Sequence, residues 1–299
     1  MEDVFKQVLT ARVYDLAQRT PLELARNLSA QVDNQVYLKR EDQQPSFSFK
    51  VRGAANKVAH LSPAERQAGI LCASAGNHAQ GVALAARHVG VAALVVMPVT
   101  TPRIKVQAVK SLGAEVVLHG DSYSEAASHC QALQRETRMT FVHPFDDALV
   151  IAGQGTVGQE ILQQCPDADA VFVPVGGGGL IGGISALIKA LSPRTRVIGV
   201  QPVDSNAMQL SLQAGRRVEL DHVGMFADGV AVKQVGVLTL ALAQAFVDEI
   251  VTVTTDQICS AIKAIYEDTR SIMEPAGALG VAGLKHYLAL HPAQGQRLV

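Results

Sequence analysis

The feature that most constrains the fold is a regular alternation of short β-branched runs with longer segments of helical spacing. Strands are predicted at residues 36–38, 69–73, 93–97, 115–118, 140–142, 170–175, 197–200 and 250–253. Strands that alternate with helices form βαβ units, in which the strands are parallel and the helices cover the sheet. We therefore predict an α/β fold of mostly parallel twisted sheet with helices on both faces.

Several helix boundaries carry local signals. Thr20-Pro21-Leu22-Glu23 has the hydroxyl, proline and glutamate typical of a helix start, and Ser62-Pro63 and Ser192-Pro193 are similar. Near the end of the chain, residues 274–290 predict a helix, and residues 297–299 the first part of a strand. We expect the sequence to stop inside that element, because three terminal residues are short for a strand.

The length of 299 residues suits two domains. No long linker, repeat or low-complexity segment separates them, so the chain is expected to cross between domains near residues 60–68 and 143–150. We predict a large domain of residues 1–65 plus 147–299 and a small mobile domain of residues 66–146.

Composition excludes several classes of protein. Twenty-six basic residues stand against 27 acidic ones, which argues against nucleic-acid binding. The longest apolar run, residues 89–99, is too short to cross a bilayer, and no secretory signal is visible. Four cysteines are scattered without metal-ligand spacing, so we expect no metal site and free thiols in a reducing cytoplasm.

A run of four glycines, Gly176–Gly179, connects an apolar strand to a helical segment. Glycines expose backbone N–H groups, and the following helix start adds the positive end of its dipole, so the pattern favours a phosphate site over a plain tight turn. The dinucleotide fingerprint fits poorly, because the next strand ends in Gln201 rather than an acid. No Gly-Lys-Ser/Thr follows for a P-loop, which leaves a monophosphate cofactor or substrate.

Lys50 lies near a predicted helix start, beside Phe47 and Phe49. Apolar surface and backbone dipoles disfavour the ammonium form, and a lysine of lowered pKa forms Schiff bases. A surface lysine that extends its amine to water is the alternative.

A second strand-to-helix loop, Ser74-Ala75-Gly76-Asn77-His78, has the small residues and exposed amides that suit a carboxylate. Asn77 offers a hydrogen bond to a ring oxygen. His78 is either a structural residue of this loop or a base.

Five motifs in this order are similar to the threonine/serine dehydratase group of fold-type II pyridoxal-phosphate enzymes. They are Ser48-Phe49-Lys50-Val51-Arg52-Gly53, Ser74-Ala75-Gly76-Asn77-His78-Ala79-Gln80-Gly81, Ile151-Ala152-Gly153-Gln154-Gly155-Thr156, Gly176-Gly177-Gly178-Gly179-Leu180 and Met273-Glu274-Pro275-Ala276-Gly277-Ala278. The resemblance covers essentially the whole chain and implies the tryptophan synthase β-like fold. Residues 39–42 and 226–233 are most similar to the biosynthetic members of the group.

The resemblance implies a role for each motif. Lys50 would bind pyridoxal 5'-phosphate as a Schiff base and act as the catalytic base, with Phe49 beside the ring and Asn77 on the ring oxygen. Gly176, Gly177, Gly178, Gly179 and Leu180 would bind the phosphate. Ser74, Ala75, Gly76, Asn77 and His78 would bind the substrate carboxylate, and Glu274 would lie near the ring.

The implied reaction is dehydration and deamination of L-threonine, and of L-serine, to a 2-oxo acid and ammonia, the first step of isoleucine biosynthesis. Ala75 stands where serine racemases of this fold carry a serine, which favours elimination over racemisation. Cysteine synthases differ in both the lysine and the asparagine motif. The alternatives are a serine racemase or an inactive scaffold.

The group's Ser-Gly-x-Asn turn, whose serine faces the pyridine nitrogen, would follow Val299, as would the isoleucine-sensing regulatory region. We therefore expect a catalytic-domain fragment without that region. The resemblance also implies a homodimer or homotetramer that acts on a small amino acid, with no nucleic-acid or membrane partner.

Overall fold

The computed structural model describes residues 2–299, and the chain folds into alternating strands and helices. The strands are β1 (Leu22–Leu24), β2 (Gln35–Lys39), β3 (Ile70–Ala73), β4 (Ala93–Met97), β5 (Glu115–Leu118), β6 (Thr140–Phe141), β7 (Ala170–Pro174), β8 (Arg196–Pro202), β9 (Glu249–Val253) and β10 (Arg297–Leu298). The helices are α1 (Glu2–Leu9), α2 (Arg26–Val32), α3 (Lys50–Ala59), α4 (Pro63–Ala68), α5 (Asn77–Val89), α6 (Arg103–Ser111), α7 (Tyr123–Thr137), α8 (Ala148–Gln164), α9 (Gly179–Leu191), α10 (Ala207–Ala214), α11 (Val237–Phe246), α12 (Thr255–Thr269) and α13 (Pro275–Leu290). All eight predicted strands and the predicted helix before the C-terminus are confirmed.

The chain forms two compact units. One, the six-stranded unit, contains residues up to 9, 20–40 and 155–299. The other, the four-stranded unit, contains residues 10–19 and 41–154. Residues 10–19, 41–65 and 147–154, which the sequence prediction assigns to the large domain, therefore belong to the four-stranded unit. The reason is the apolar face of α3, whose Ala54 and Val58 share a core with Ala79 and Val82 of α5. The mobility predicted for residues 66–146 stays a prediction.

The sheet of the six-stranded unit has the order β1-β2-β10-β7-β8-β9. Its neighbours are parallel, except that β1 pairs antiparallel with β2. Phe172 faces a core that includes Leu279 of α13, whereas Val171 and Val173, which point to the opposite face, are also buried. Helices therefore cover both faces, as predicted, because the central strands β7 and β8 are buried along almost their whole length.

The four-stranded unit has the order β5-β4-β3-β6, and all of its pairs are parallel. Alternate residues of β3 face opposite cores. Ile70 and Cys72 pack with α3 and α5, and Leu71 and Ala73 pack with Ala126 of α7. This is the doubly covered parallel sheet that the alternating pattern predicts.

Two predicted helix starts are wrong. Residues 22–24 form β1 instead of a helix, because their backbone pairs with residues 37–39 at the edge of β2, and Pro21 precedes that strand without having to donate a hydrogen bond. Ser192-Pro193 ends a helix rather than starting one, since Ser192 is the C-cap of α9. The third start is confirmed, because Ser62 and Glu65 form a capping box at α4.

The last residues form a strand, as predicted. Leu298 of β10 pairs with Val36 on one side and with Ala170 on the other. Neighbours on both sides explain how so short a strand is held. Within the described residues, no helix has both the length and the apolar character required to cross a membrane.

Candidate active site

Lys50 is the first residue of α3, with Phe49 as the N-cap. Its Nζ lies 4.8 Å from the centroid of the Phe49 ring, and its backbone N–H donates to Ser48 Oγ at 3.3 Å. The predicted helix start at this lysine is therefore confirmed. A lysine at the first helical position projects from the end of the helix, which suits an amine that must reach a ligand.

The start of α3 is held by an ion pair between a buried arginine and a partly buried glutamate. Arg52, which is fully buried, donates from Nε and Nη2 to the two carboxylate oxygens of Glu41, both at 2.8 Å. Nη2 also donates to the carbonyl of Gln18 at 3.1 Å. Bidentate pairing fixes orientation as well as distance, so the pair restrains the helix turn that carries Lys50.

Two glycines allow other helices to approach α3 closely. A Cβ on Gly81 of α5 would lie 3.1 Å from the carbonyl carbon of Lys50, and a Cβ on Gly153 of α8 would lie 2.6 Å from the carbonyl oxygen of Arg52. The motifs that contain Gly81 and Gly153 thus pack directly against the first turn of α3, which carries Lys50. The motif of residues 151–156 lies inside α8.

Ser74–His78 connects β3 to α5, as predicted. Asn77 is the first helical residue, and Gly76, the N-cap, has φ −134° and ψ −143° and forms no side-chain capping bond. Gly76 donates its N–H to Ser74 Oγ at 3.3 Å, and a Cβ added at Gly76 would meet no atom within 4 Å. An uncapped helix start beside open space fits a carboxylate.

His78 is buried and neutral. Its Nε2 lies 2.9 Å from the carbonyl of Val142, to which it donates, and no partner of Nδ1 is found among the described residues. Burial lowers the pKa of His78 to about 3, and the nearby Lys50 ammonium adds a smaller lowering. An imidazole that resists protonation is a poor base near neutral pH. The low pKa and the burial of His78 therefore favour a structural role or a role as a hydrogen-bond acceptor.

The four glycines connect β7 to α9, again as predicted. Gly178 is the N-cap of α9 with φ +96°, and Gly179 begins the helix. A Cβ on Gly178 would lie 2.6 Å from Met208 Cε, and one on Gly176 would lie 3.0 Å from Val230 Cα. At Gly178, only glycine satisfies both the backbone conformation and the packing.

The amides of this loop are available to a ligand. Among the described residues, no protein acceptor is found for the backbone N–H groups of residues 176–181. Several unpaired N–H groups at a helix start form a cradle for a phosphate. The loop thus fits the phosphate of pyridoxal 5'-phosphate through its backbone N–H groups.

Glu274 is the N-cap of α13, where its side chain forms no capping bond. Its Oε1 would lie 3.4 Å from a Cβ on Gly229, so it borders the turn that follows residues 226–228.

Two residues near the glycine loop were not predicted. Thr239 and Gln201 are fully buried and bond to its backbone, and their position is fixed by distant parts of the chain.

Residues 13–299 match the family model of pyridoxal-phosphate dependent enzymes. The chain belongs to this family, whose cofactor is pyridoxal 5'-phosphate. It is similar to L-threonine dehydratase biosynthetic IlvA of Burkholderia multivorans, with 56% identity over 301 residues, which cover 99% of this chain and 59% of that protein. The chain thus spans less than two thirds of the length of this relative.

Solved structures show the same similarity. The processed form of threonine deaminase isoform 2 from Solanum lycopersicum has a TM-score of 0.98 and 46% identity, covering 100% of this chain and 82% of that one. Maize serine racemase has a TM-score of 0.92 and 32% identity, covering 99% of this chain and 91% of that one. The fold predicted from the sequence is confirmed.

Proposed function

We propose that this chain carries the catalytic machinery of a threonine ammonia-lyase, which converts L-threonine, and L-serine, to the 2-oxo acid and ammonia. The observation that carries the proposal is the similarity along 99% of the chain to a biosynthetic threonine dehydratase. It is supported by the glycine loop, whose free amides and packed glycines suit a phosphate. In this proposal, the reaction is the first step of isoleucine biosynthesis.

Bound pyridoxal 5'-phosphate would supply an electron sink that acidifies the α-carbon of the substrate. In the proposal, Lys50 holds the cofactor through its Nζ and then, as a neutral amine, takes the proton from the α-carbon. Phe49 packs beside the ring, Asn77 donates to the ring oxygen, and Glu274 lies near the ring. The backbone of Gly176–Leu180 binds the phosphate.

The start of α5 orients the substrate. Ser74, Ala75, Gly76, Asn77 and His78 would bind the substrate carboxylate through amides and side chains, and the space beside Gly76 supports this. Loss of the α-proton and the β-hydroxyl gives water and an enamine, which takes up water to yield the 2-oxo acid and ammonia. Holding the carboxylate fixes the α-proton relative to the base, which is a large part of such catalysis.

Changing Lys50→Ala tests this proposal. We expect 2-oxo acid formation from threonine to fall at least about 10³-fold, because both the covalent anchor and the base are removed. The visible absorbance of bound cofactor should disappear as well. Lys110→Ala, an exposed lysine on α6, is the control and should retain both.

Retained activity in Lys50→Ala would overturn the assignment of the base. The assay also separates the alternatives. Accumulation of D-serine from L-serine, measured by chiral chromatography, would indicate a racemase, for which the similarity to maize serine racemase is the supporting observation. A wild-type protein that neither binds the cofactor nor forms 2-oxo acid would indicate a scaffold.

Two further expectations are part of the proposal. We place the protein in the cytoplasm, which the free cysteines support, since Cys72, Cys130 and Cys165 are buried as unpaired thiols. We also propose a homodimer or homotetramer, which light scattering of the purified protein would measure.

A further inference from the structure

The glycine loop has one carbonyl whose partner is unusual. In an α-helix, the N–H of Ile181 would donate to the carbonyl of the residue four positions earlier, Gly177. That carbonyl instead accepts a hydrogen bond at 2.7 Å from the side-chain hydroxyl Oγ1 of Thr239, which lies in α11. The helical ladder begins one residue later, with the N–H of Gly182 donating to Gly178 at 2.9 Å.

Thr239 is itself held in place. It is fully buried, and its Oγ1 accepts the N–H of Gly236 at 3.0 Å while donating to Gly177. Its Cβ would lie 2.9 Å from a Cβ on Gly178, so the side chain packs directly against the left-handed residue of the loop. The hydroxyl thus accepts from Gly236 and donates to Gly177, and these two hydrogen bonds restrain the Gly177 carbonyl.

The strand side of the loop is anchored in the same manner. Gln201, fully buried at the end of β8, donates from Nε2 to the carbonyl of Val175 at 3.2 Å and to that of Ser205 at 3.1 Å. Its Oε1 accepts the N–H of Gln209 at 2.9 Å. Two buried side chains thus bind the carbonyls of Val175, just before the loop, and of Gly177, within it. The N–H groups of residues 176–181 are left without protein acceptors in the described structure.

We propose that Thr239 is a positioning residue for the phosphate-binding loop: it removes the Gly177 carbonyl from the helix start, so that the loop amides stay directed at the phosphate of the cofactor. The inference rests on the proposed function, because it assumes that pyridoxal 5'-phosphate is the ligand. Its consequence is specific, since Thr239 contributes to recognition of the phosphate and not of the pyridine ring.

The test compares pyridoxal 5'-phosphate with pyridoxal, which lacks the phosphate, on the full chain freed of cofactor. Thr239→Val keeps the shape and removes the hydroxyl. We expect it to raise the dissociation constant of pyridoxal 5'-phosphate about tenfold, the size of one well-placed hydrogen bond, and that of pyridoxal less than about twofold. Thr239→Ser, which restores the hydroxyl, should return both constants to within about twofold of the wild type.

Thr195→Val is the matched control. Thr195 is also a buried threonine of the six-stranded unit, and its Oγ1 donates to the carbonyl of Ala168 at 2.8 Å, away from the glycine loop. The variant should lower the melting temperature about as much as Thr239→Val, yet leave the ratio of the two dissociation constants unchanged. The comparison thereby separates positioning of the loop from general stability.

Each outcome decides the inference. The inference is overturned if Thr239→Val weakens the binding of pyridoxal 5'-phosphate and of pyridoxal equally, or weakens neither. It is also overturned if Thr195→Val changes the ratio of the two dissociation constants as much as Thr239→Val does. A wild-type protein that binds neither ligand would instead overturn the proposed function, and the inference with it.

Discussion

The two strand-to-helix loops of this protein have the same position in a βαβ unit but are built differently. Ser74–His78 follows β3 and offers side chains, and its glycine, Gly76, borders open space. Gly176–Gly179 follows β7 and offers only backbone, and Gly176 and Gly178 are tightly packed. A glycine can thus mark space left for a ligand, as at Gly76, or a backbone conformation that other residues do not readily adopt, as at Gly178.

The difference follows from what each loop is proposed to bind. A phosphate has three acceptor oxygens, which a ring of N–H groups satisfies without charged side chains. A substrate carboxylate must be held in one register relative to the base, and side chains at the start of α5 add that specificity. The following predictions test this contrast through the free energy of unfolding, starting with the largest effect.

Gly178→Ala should have the largest effect of the three. The residue has φ +96°, and the new Cβ would lie 2.6 Å from Met208 Cε. Left-handed conformation costs an alanine about 1–2 kcal/mol and overpacking about 1–3 kcal/mol, so the free energy of unfolding should fall by about 2–5 kcal/mol. Chemical denaturation of the cofactor-free protein measures it.

Gly215→Ala is the control for this prediction. Gly215 also has positive φ, at +67°, but a Cβ there would meet no atom within 4 Å. Its cost should therefore be limited to about 1–2 kcal/mol of backbone strain. Equal losses in the two variants would show that packing against the glycine loop contributes nothing.

The free energy of unfolding should depend on pH through His78, which lies in the Ser74–His78 loop. The pKa of His78 is about 3 in the folded protein, against about 6.5 when unfolded, so the unfolded chain binds the proton first. Stability present above about pH 6.5 is therefore lost as pH falls towards 3, and at pH 4.5 the loss from this residue is about 2–3 kcal/mol.

The measurement compares the wild type with His78→Gln, whose amide can still donate to the Val142 carbonyl. The variant should lack this part of the decrease between pH 6.5 and 4.5. His88→Gln, at an exposed position of the same helix, should behave as the wild type. If His78→Gln loses stability as steeply as the wild type, the buried imidazole is not the source.

Gly76→Ala should have the smallest effect on stability. Because the φ of Gly76 is negative, at −134°, and a Cβ there would meet no atom within 4 Å, the free energy of unfolding should change by less than about 1 kcal/mol. Formation of 2-oxo acid should nevertheless fall at least about tenfold, since the methyl group occupies the proposed carboxylate site. Unchanged turnover of threonine would mean that the substrate does not bind there.

The strands and both loops could be predicted because their signals are local. Alternating apolar runs specify parallel strands, and glycines at the ends of β3 and β7 mark turns into helices. The errors arose where local signals competed with distant partners. Thr20–Glu23 has the pattern of a helix start, yet the open edge of β2 draws residues 22–24 into a strand.

By itself, the sequence determined the α/β class, the strands other than β1, and the placement of Lys50 and both loops at helix starts. Only the tertiary structure decided that Arg52 pairs with Glu41, that Gly81 and Gly153 adjoin the backbone of α3, and that Thr239 bonds to Gly177. Thr239 and Gly177 are 62 residues apart. Helix and strand patterns reflect each residue's near neighbours, whereas such contacts depend on how distant segments pack, which no local pattern records.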